Sequence, residues 1–229
     1  MEALRIFVGY DPREAIAYHV CCNSLIRHAS RPISIVPLHL GNLRMYEEKH
    51  KDGSNAFIYS RFLVPYLAGF KGTALYLDGD MVVTDDIAKL FALAEIGKDV
   101  MVVKHDYKTK HPVKYFGAVN ESYPKKNWSS VMLFPNCENF PVQKLLPEFV
   151  QRQTGKFLHR FEWTSSDRVG ELPKEWNWLS GEYETNLEAK LIHYTVSIPA
   201  IQDCGDPEHA KQWWDEHRRL VDIHGPADT

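Results

Sequence analysis

Leu75-Tyr76-Leu77-Asp78-Gly79-Asp80-Met81-Val82-Val83 is an apolar run that presents two carboxylates separated by one glycine. On an extended segment alternate side chains share a face, so Asp78 and Asp80 point the same way, and Gly79 lets another backbone or a ligand come close. Two like charges held that near each other are costly alone. Without a cation one is pushed toward its protonated form; with a divalent ion both stay ionised as its ligands. A hard ion that keeps positions open for water and phosphate oxygens, Mg²⁺ or Mn²⁺, suits carboxylates better than zinc does. The same three residues also read as a strand end running into a turn, with Asp85 or Asp86 capping a helix over Ile87-Ala88-Lys89-Leu90-Phe91. The apolar runs on both sides shift the reading toward a site.

Upstream, Leu4 to Val8 is a short strand-like run ending in Gly9-Tyr10-Asp11-Pro12. Asp11 as N-cap, Pro12 at the first helical position and Glu14 three residues after Asp11 predict a helix start. The turn also falls at the carboxyl end of a first strand, where open α/β sheets place ligands, so Tyr10 and Asp11 are equally candidates to meet a nucleotide. Ile33 to Leu38 predicts a second strand, and 41–55 a polar loop. From Ala56 a helical pattern carries Arg61, whose default role is a solvated or paired arginine, and Pro65 marks its kink or end.

Downstream, Val100 to Val103 predicts a buried strand. The stretch 104–127 holds Lys104, Lys108, Lys110, Lys114, Lys125 and Lys126 among aromatic residues. It reads as a solvated loop, or as a surface for an anionic acceptor or lipid head group. Ser129 and Ser130 stand at the mouth of the strand Val131 to Phe134. Phe140 to Gln153 predicts a helix interrupted at Pro147, Ser165-Ser166-Asp167-Arg168 a short helix start, and Leu191-Ile192-His193 a strand ending in a structural or metal-binding histidine. The last helix, Pro207 to Val221, carries Trp213 and Trp214 for core packing or, less directly, membrane-surface contact.

The chain has 229 residues, 44% hydrophobic and 25% charged, which fits one globular domain and excludes a disordered or collagen-like class. A formal net charge of −3 gives no global reason to expect nucleic-acid binding. Cys21, Cys22, Cys137 and Cys204 lack metal-ligand spacing, which points to a reducing compartment. Without a signal-like start or an apolar stretch of about 18 residues, the expected location is cytoplasmic, with peripheral contact at the inner face of a membrane as the other possibility.

The order of pieces resembles the GT-A-fold glycosyltransferases, and among them the family 8 type that includes bacterial lipopolysaccharide galactosyltransferases and glycogenin. The matching text is Tyr59-Ser60-Arg61-Phe62, Leu75 to Asp80, Trp128-Ser129-Ser130-Val131, Asp167-Arg168, Leu172-Pro173-Lys174-Glu175-Trp176-Asn177 and His193-Tyr194-Thr195. The resemblance implies an α/β fold with a Rossmann-like, mixed central sheet flanked by helices, as one domain over 1–229. Its nucleotide-binding half would be about 1–103 and its acceptor side about 104–229. By the same resemblance Asp78, Asp80 and His193 would hold Mn²⁺ or Mg²⁺ against the diphosphate of a UDP-sugar, and Arg61 would meet phosphate or donor sugar. Val8 to Asp11 would hold base and ribose, Gly79 would lie against the donor, Ser129 and Ser130 would contact its sugar, and Asp167 with Arg168 would carry the catalytic step. The sugar would pass, with retention of anomeric configuration, to a glycan, a lipid-linked or another acceptor in cell-surface polysaccharide synthesis.

The chain also departs from that pattern. Arg168 stands where the family has Gln, and Val196-Ser197-Ile198-Pro199 replaces a segment whose lysine binds phosphate, so another lysine must supply that contact or it is lost. Asp78-Gly79-Asp80-Met81-Val82 also fits a haloacid-dehalogenase-type phosphatase motif, but that motif normally opens its domain and pairs with a later Asp-Asp that is not evident here. A nucleotide-sugar pyrophosphorylase would want a glycine-rich first loop, which Gly9-Tyr10-Asp11-Pro12-Arg13 is not. A carbohydrate- or nucleotide-binding module without turnover is the non-enzymatic alternative.

Overall fold

The structure, a computed structural model, describes residues 2–51 and 55–222. Strand β1 (Leu4–Gly9) runs through a 3-10 turn at Pro12–Glu14 into α1 (Ala15–His28), and β2 (Ile33–Leu38) follows. Of the polar stretch 41–55, residues 52–54 lie outside the described residues. The helix expected from Ala56 is a 3-10 turn at Ser60–Leu63 followed by α2 (Val64–Leu67). Pro65 sits in the first turn of α2, where its missing N–H is not needed. Next come β3 (Ala74–Leu77), β4 (Met81–Val83), α3 (Ile87–Phe91) and β5 (Val100–Val102). Asp86 caps α3 by accepting from the Ala88 N–H at 3.0 Å.

The lysine-rich stretch contains a small hairpin, β6 (Val113–Lys114) and β7 (Ala118–Val119), before β8 (Val131–Phe134). The helix expected over Phe140–Gln153 divides into α4 (Phe140–Gln143) and α5 (Pro147–Arg152), with Pro147 opening the second piece. Then follow α6 (Gly155–His159), β9 (Val169–Glu171), β10 (Trp178–Leu179), β11 (Leu191–His193) and α7 (Pro207–Val221).

Six strands form the central sheet in the order β2-β1-β3-β8-β5-β9, and β8 alone runs against its neighbours. Successive residues of the central strands enter opposite cores. Tyr76, Val100, Val102 and Met132 pack with Phe62 and Trp163 on one face, while Leu75, Leu77, Met101 and Leu133 pack with Leu25, Ile87 and Trp176 on the other. Burial on both faces is why these strands read as unbroken apolar runs. A second sheet, β10-β11-β4, shares a third core with α1 and α7, in which Val82, Ile192, Tyr194 and Trp213 meet.

The Asp78-Gly79-Asp80 stretch is not one continuous strand. β3 ends at Leu77 in the central sheet and β4 begins at Met81 in the smaller one, so the three residues are the crossing between sheets. Gly79 fits there because its backbone lies on the carboxyl end of β1. A Cβ at this position would come within 2.3 Å of the Gly9 carbonyl oxygen.

Candidate functional site

The crossing delivers Asp78 and Asp80 next to His193, the last residue of β11, which pairs across from Met81 of β4. One ligand atom from each lies within 4.8 Å of the others, and all three residues are buried. His193 Nε2 is 3.4 Å from Asp80 Oδ1 and 3.9 Å from Asp78 Oδ2. The other ring nitrogen, Nδ1, is 3.0 Å from Asn177 Oδ1, while Asn177 Nδ2 donates to Ser130 Oγ at 2.8 Å. With the Asn177 carbonyl oxygen accepting, Nδ1 carries the proton and the Nε2 lone pair faces the carboxylates, which is the orientation a metal ligand needs.

The donor set fits a divalent cation on an observation independent of any motif: Asp80 Oδ1 is buried and has no hydrogen-bond partner. An orphaned carboxylate oxygen facing an imidazole lone pair and a second carboxylate lacks a donor, and a cation satisfies all three together. Burial pushes the Asp78 carboxyl above its usual range. Arg61 draws it back down and Asp80 pushes it up again. Nearby Glu14 is pushed up to about 9, by burial first and then by the charges of Asp80, Asp11 and Asp78. Excess negative charge thus gathers where a cation would relieve it.

Arg61 is buried and committed. It pairs with Asp78 at 2.9 Å, and its guanidinium donates to the Ser129 carbonyl at 3.0 Å. Tyr76 adds a hydroxyl donor to Asp78 Oδ1. Arg61 therefore orients Asp78 while still lining the small chamber around the cluster. Ser129 lines that chamber too, with Oγ 2.7 Å from His159 Nδ1, whereas the Ser130 hydroxyl faces inward to the Asn127 carbonyl and Asn177.

At the carboxyl end of β1, Gly9 touches Gly79 and Tyr10 lies edge-on to Tyr18 and His39. Asp11 takes up the capping alternative. It accepts from the Arg13 and Ala56 backbone N–H groups, each at 3.0 Å, and pairs with the Arg13 guanidinium at 2.6 Å. Val8 is buried in the core.

Asp167 and Arg168, the expected catalytic pair, do not reach the cluster. Arg168 makes a two-pronged bond to buried Asp99, at 2.8 and 2.6 Å, and Asp99 also accepts from Asn139 and Thr164. Both residues precede parallel strands that pair Val100 with Val169, so they sit at the amino ends of β5 and β9. Through Met101, Leu133 and Leu75 the register sets Asp99 level with Thr73, five residues short of Asp78. At the usual rise that is roughly 16 Å along the strands. Asp167 is exposed, with Lys98 bonded to its carbonyl. The chain spacing that suggests a motif here serves an ion pair across the sheet's edge.

Lys114 carries no sequence signal that singles it out. It lines the chamber; burial lowers its pKa while Asp80 and Asp78 act to raise it. Six lysines in one irregular stretch have no periodicity that would select it. Tyr123, Asn127 and His159 line the chamber too, with Asn55, Ile58 and Thr195. Val196, Ser197 and Ile198, where the missing phosphate-binding lysine would stand, are buried instead, Ile198 beside Trp213 in the third core.

The model for glycosyl transferase family 8 matches residues 22–199, more than half of the chain. The chain belongs to that family. Protein CDI of Arabidopsis thaliana is 40% identical to this family 8 chain over 224 residues, covering 94% of this chain and 86% of that one. Among solved structures, the bifunctional glycosyltransferase WbbM aligns with 98% of the chain at TM-score 0.64 and 17% identity. The glycosyltransferase GlyE of Streptococcus pneumoniae aligns with 94% at 0.62 and 18%. The chain spans 50% of the WbbM chain and 60% of the GlyE chain. The galactosyltransferase LgtC, solved with donor and acceptor sugar analogues, aligns with 96% of this chain and 97% of its own at TM-score 0.59 and 14% identity. At such identities the structural likeness establishes the fold, which is GT-A, and the family match establishes a glycosyltransferase.

Proposed function

We propose that this family 8 glycosyltransferase is a single-domain, metal-dependent enzyme that moves a sugar from a UDP-sugar to a glycan, lipid-linked or other acceptor, with retention, in the synthesis of a cell-surface glycan. The observation that carries the proposal is the buried Asp78–Asp80–His193 cluster with its orphaned Asp80 oxygen. When bound there, Mn²⁺ or Mg²⁺ would stabilise the negative charge that develops on the diphosphate as its bond to the sugar breaks.

The chain's own groups prepare for that charge. Arg61 and the Tyr76 hydroxyl hold Asp78 in one orientation, and Asn177 fixes the His193 tautomer. Lys114, facing the two carboxylates across the chamber, is the cation we assign to the phosphates in place of the family's lysine. The chamber wall holds no carboxylate besides Asp78 and Asp80 among the described residues, which supports attack from the donor's own face over a covalent sugar–enzyme intermediate. Gly79, Gly9 and Tyr10 would border the nucleotide at the β1 end, with Val8 in the core behind them.

Calorimetric titration of UDP with and without Mn²⁺, followed by a panel of UDP-sugars scored for UDP release, tests the reading. Metal-dependent UDP binding and release from one donor are expected. Nucleotide binding indifferent to metal would remove the proposed role of the cluster.

A further inference from the structure

Beyond the metal chamber the surface opens into a second hollow of about 560 Å³ that shares Lys114, Tyr123, Asn127 and His159 with it. Its remaining charged lining is Lys126, Lys156 and Arg160 against one carboxylate, Glu121. Lys126 is 7% exposed, and its ammonium donates to Asn120 Oδ1 and to the Glu121 carbonyl, so it is held in place. Lys156 and Arg160 stand four residues apart, at the start of α6 and just past its end, and so share one side of that helix. Neither makes an ion pair among the described residues, and His159 between them has a buried Nε2 without a hydrogen-bond partner.

A chain whose net charge is −3 has concentrated cations in one concavity, where they repel one another unless an anion joins them. Burial first, and then the charge of Lys114, pull the Lys126 ammonium down to about 8, with Glu182 and Glu121 opposing them. The donor's diphosphate does not account for these cations. Asp78, Asp80, His193 and Lys114 line the smaller chamber, and Lys126, Lys156 and Arg160 line only the larger one.

We infer that the larger hollow receives an acceptor bearing an anionic group, a phosphate or a uronic carboxylate, gripped by Lys126, Lys156 and Arg160. That the bound group is an acceptor rests on the transferase reading; the anion site does not. Charge-assisted bonds from lysine and arginine favour such groups over neutral hydroxyls.

The test uses glucose 6-phosphate, glucuronate and methyl glucoside as probes, titrated by ligand-observed NMR into protein saturated with Mn²⁺ and UDP. At least one anionic probe should bind tenfold or more tighter than methyl glucoside, and comparing the two anions tells phosphate from carboxylate. The advantage should vanish in a Lys156→Ala, Arg160→Ala double variant of unchanged melting temperature, while its affinity for UDP with Mn²⁺ stays within twofold. Equal binding of charged and neutral probes overturns the inference, as does an anionic advantage that survives the double substitution. A parallel loss of UDP affinity also overturns it, by returning these cations to the donor. If UDP fails to bind the native protein, the transferase reading falls, and the probe comparison without nucleotide still decides the anion site.

Discussion

Asp80 and Arg168 carry opposite lessons for single residues. Asp80 is buried with an unpartnered oxygen, a liability to the empty fold that only a ligand removes. Asp80→Asn should therefore leave the melting temperature without metal unchanged or raised, because one of two like charges is gone. It should also weaken Mn²⁺ at least tenfold in an EPR titration, about 1.4 kcal/mol. Asn177→Ala removes no ligand but frees the His193 ring, and a loss of about 10- to 100-fold in Mn²⁺ affinity is expected from outer-shell partners of this kind. Unaltered affinity would show that His193 does not bind through Nε2. Arg168 has no such link to the metal. Arg168→Ala leaves Asp99 buried with only Asn139 and Thr164, so urea unfolding should show a loss of about 3 kcal/mol, while UDP affinity stays at the native value. A UDP affinity that fell with stability preserved would restore Arg168 to the site.

Elements place these residues, and they were legible to different degrees. The strands Leu4–Gly9, Ala74–Leu77 and Val131–Phe134 stand out as apolar runs because both faces are buried, and Asp86 announces α3 because a capping carboxylate is a local signal. The crossing at Asp78-Gly79-Asp80 was not legible as such. The switch from the central sheet to the small one is set by pairing with β11, more than a hundred residues onward, and no local pattern reports that. Tertiary placement also sets Lys114 against the cluster and Asp167-Arg168 away from it, and order along the chain reports neither. Asp78 and Asp80 were recognisable because two carboxylates inside an apolar run are rare, and His193 joined them only through the family resemblance, whereas one lysine among six is marked by neither signal. Gly79 ties residue to element. Gly79→Ala sets a methyl 2.3 Å from the Gly9 carbonyl, so β1 and the β3–β4 crossing must separate. A loss of about 3 kcal/mol or more in denaturant unfolding is expected, together with weaker Mn²⁺ binding although every ligand is retained. Native stability in that variant would mean that the crossing does not depend on this contact.

At the scale of the molecule, the site's charges and two buried histidines compete in setting the response to acid. His105 and His159 are each pushed down to about 3, by burial first. In the unfolded chain they take up a proton near pH 6.5, so the unfolded state binds more protons than the folded one throughout the window from about 6.5 to 3, and stability falls as pH falls through it. Between pH 7 and pH 5 each histidine should remove about 2 kcal/mol. Glu14, raised to about 9, acts in the opposite sense: the folded state keeps its proton where the unfolded carboxylate has lost it, so acid favours the fold. The native protein should consequently show a shallower acid loss than its histidines alone would give. His105→Gln, which keeps a polar partner for the Tyr183 hydroxyl, isolates one contribution. Urea unfolding of native and variant protein at pH 7 and pH 5 should show the variant losing about 2 kcal/mol less across that interval, since the glutamine binds no proton in either state. Parallel losses would mean that His105 is protonated in the folded chain. Added Mn²⁺ should steepen the native response: metal in the cluster offsets the charges of Asp80 and Asp78, which together with burial keep Glu14 protonated, and so lessens the support that this carboxyl gives the fold in acid.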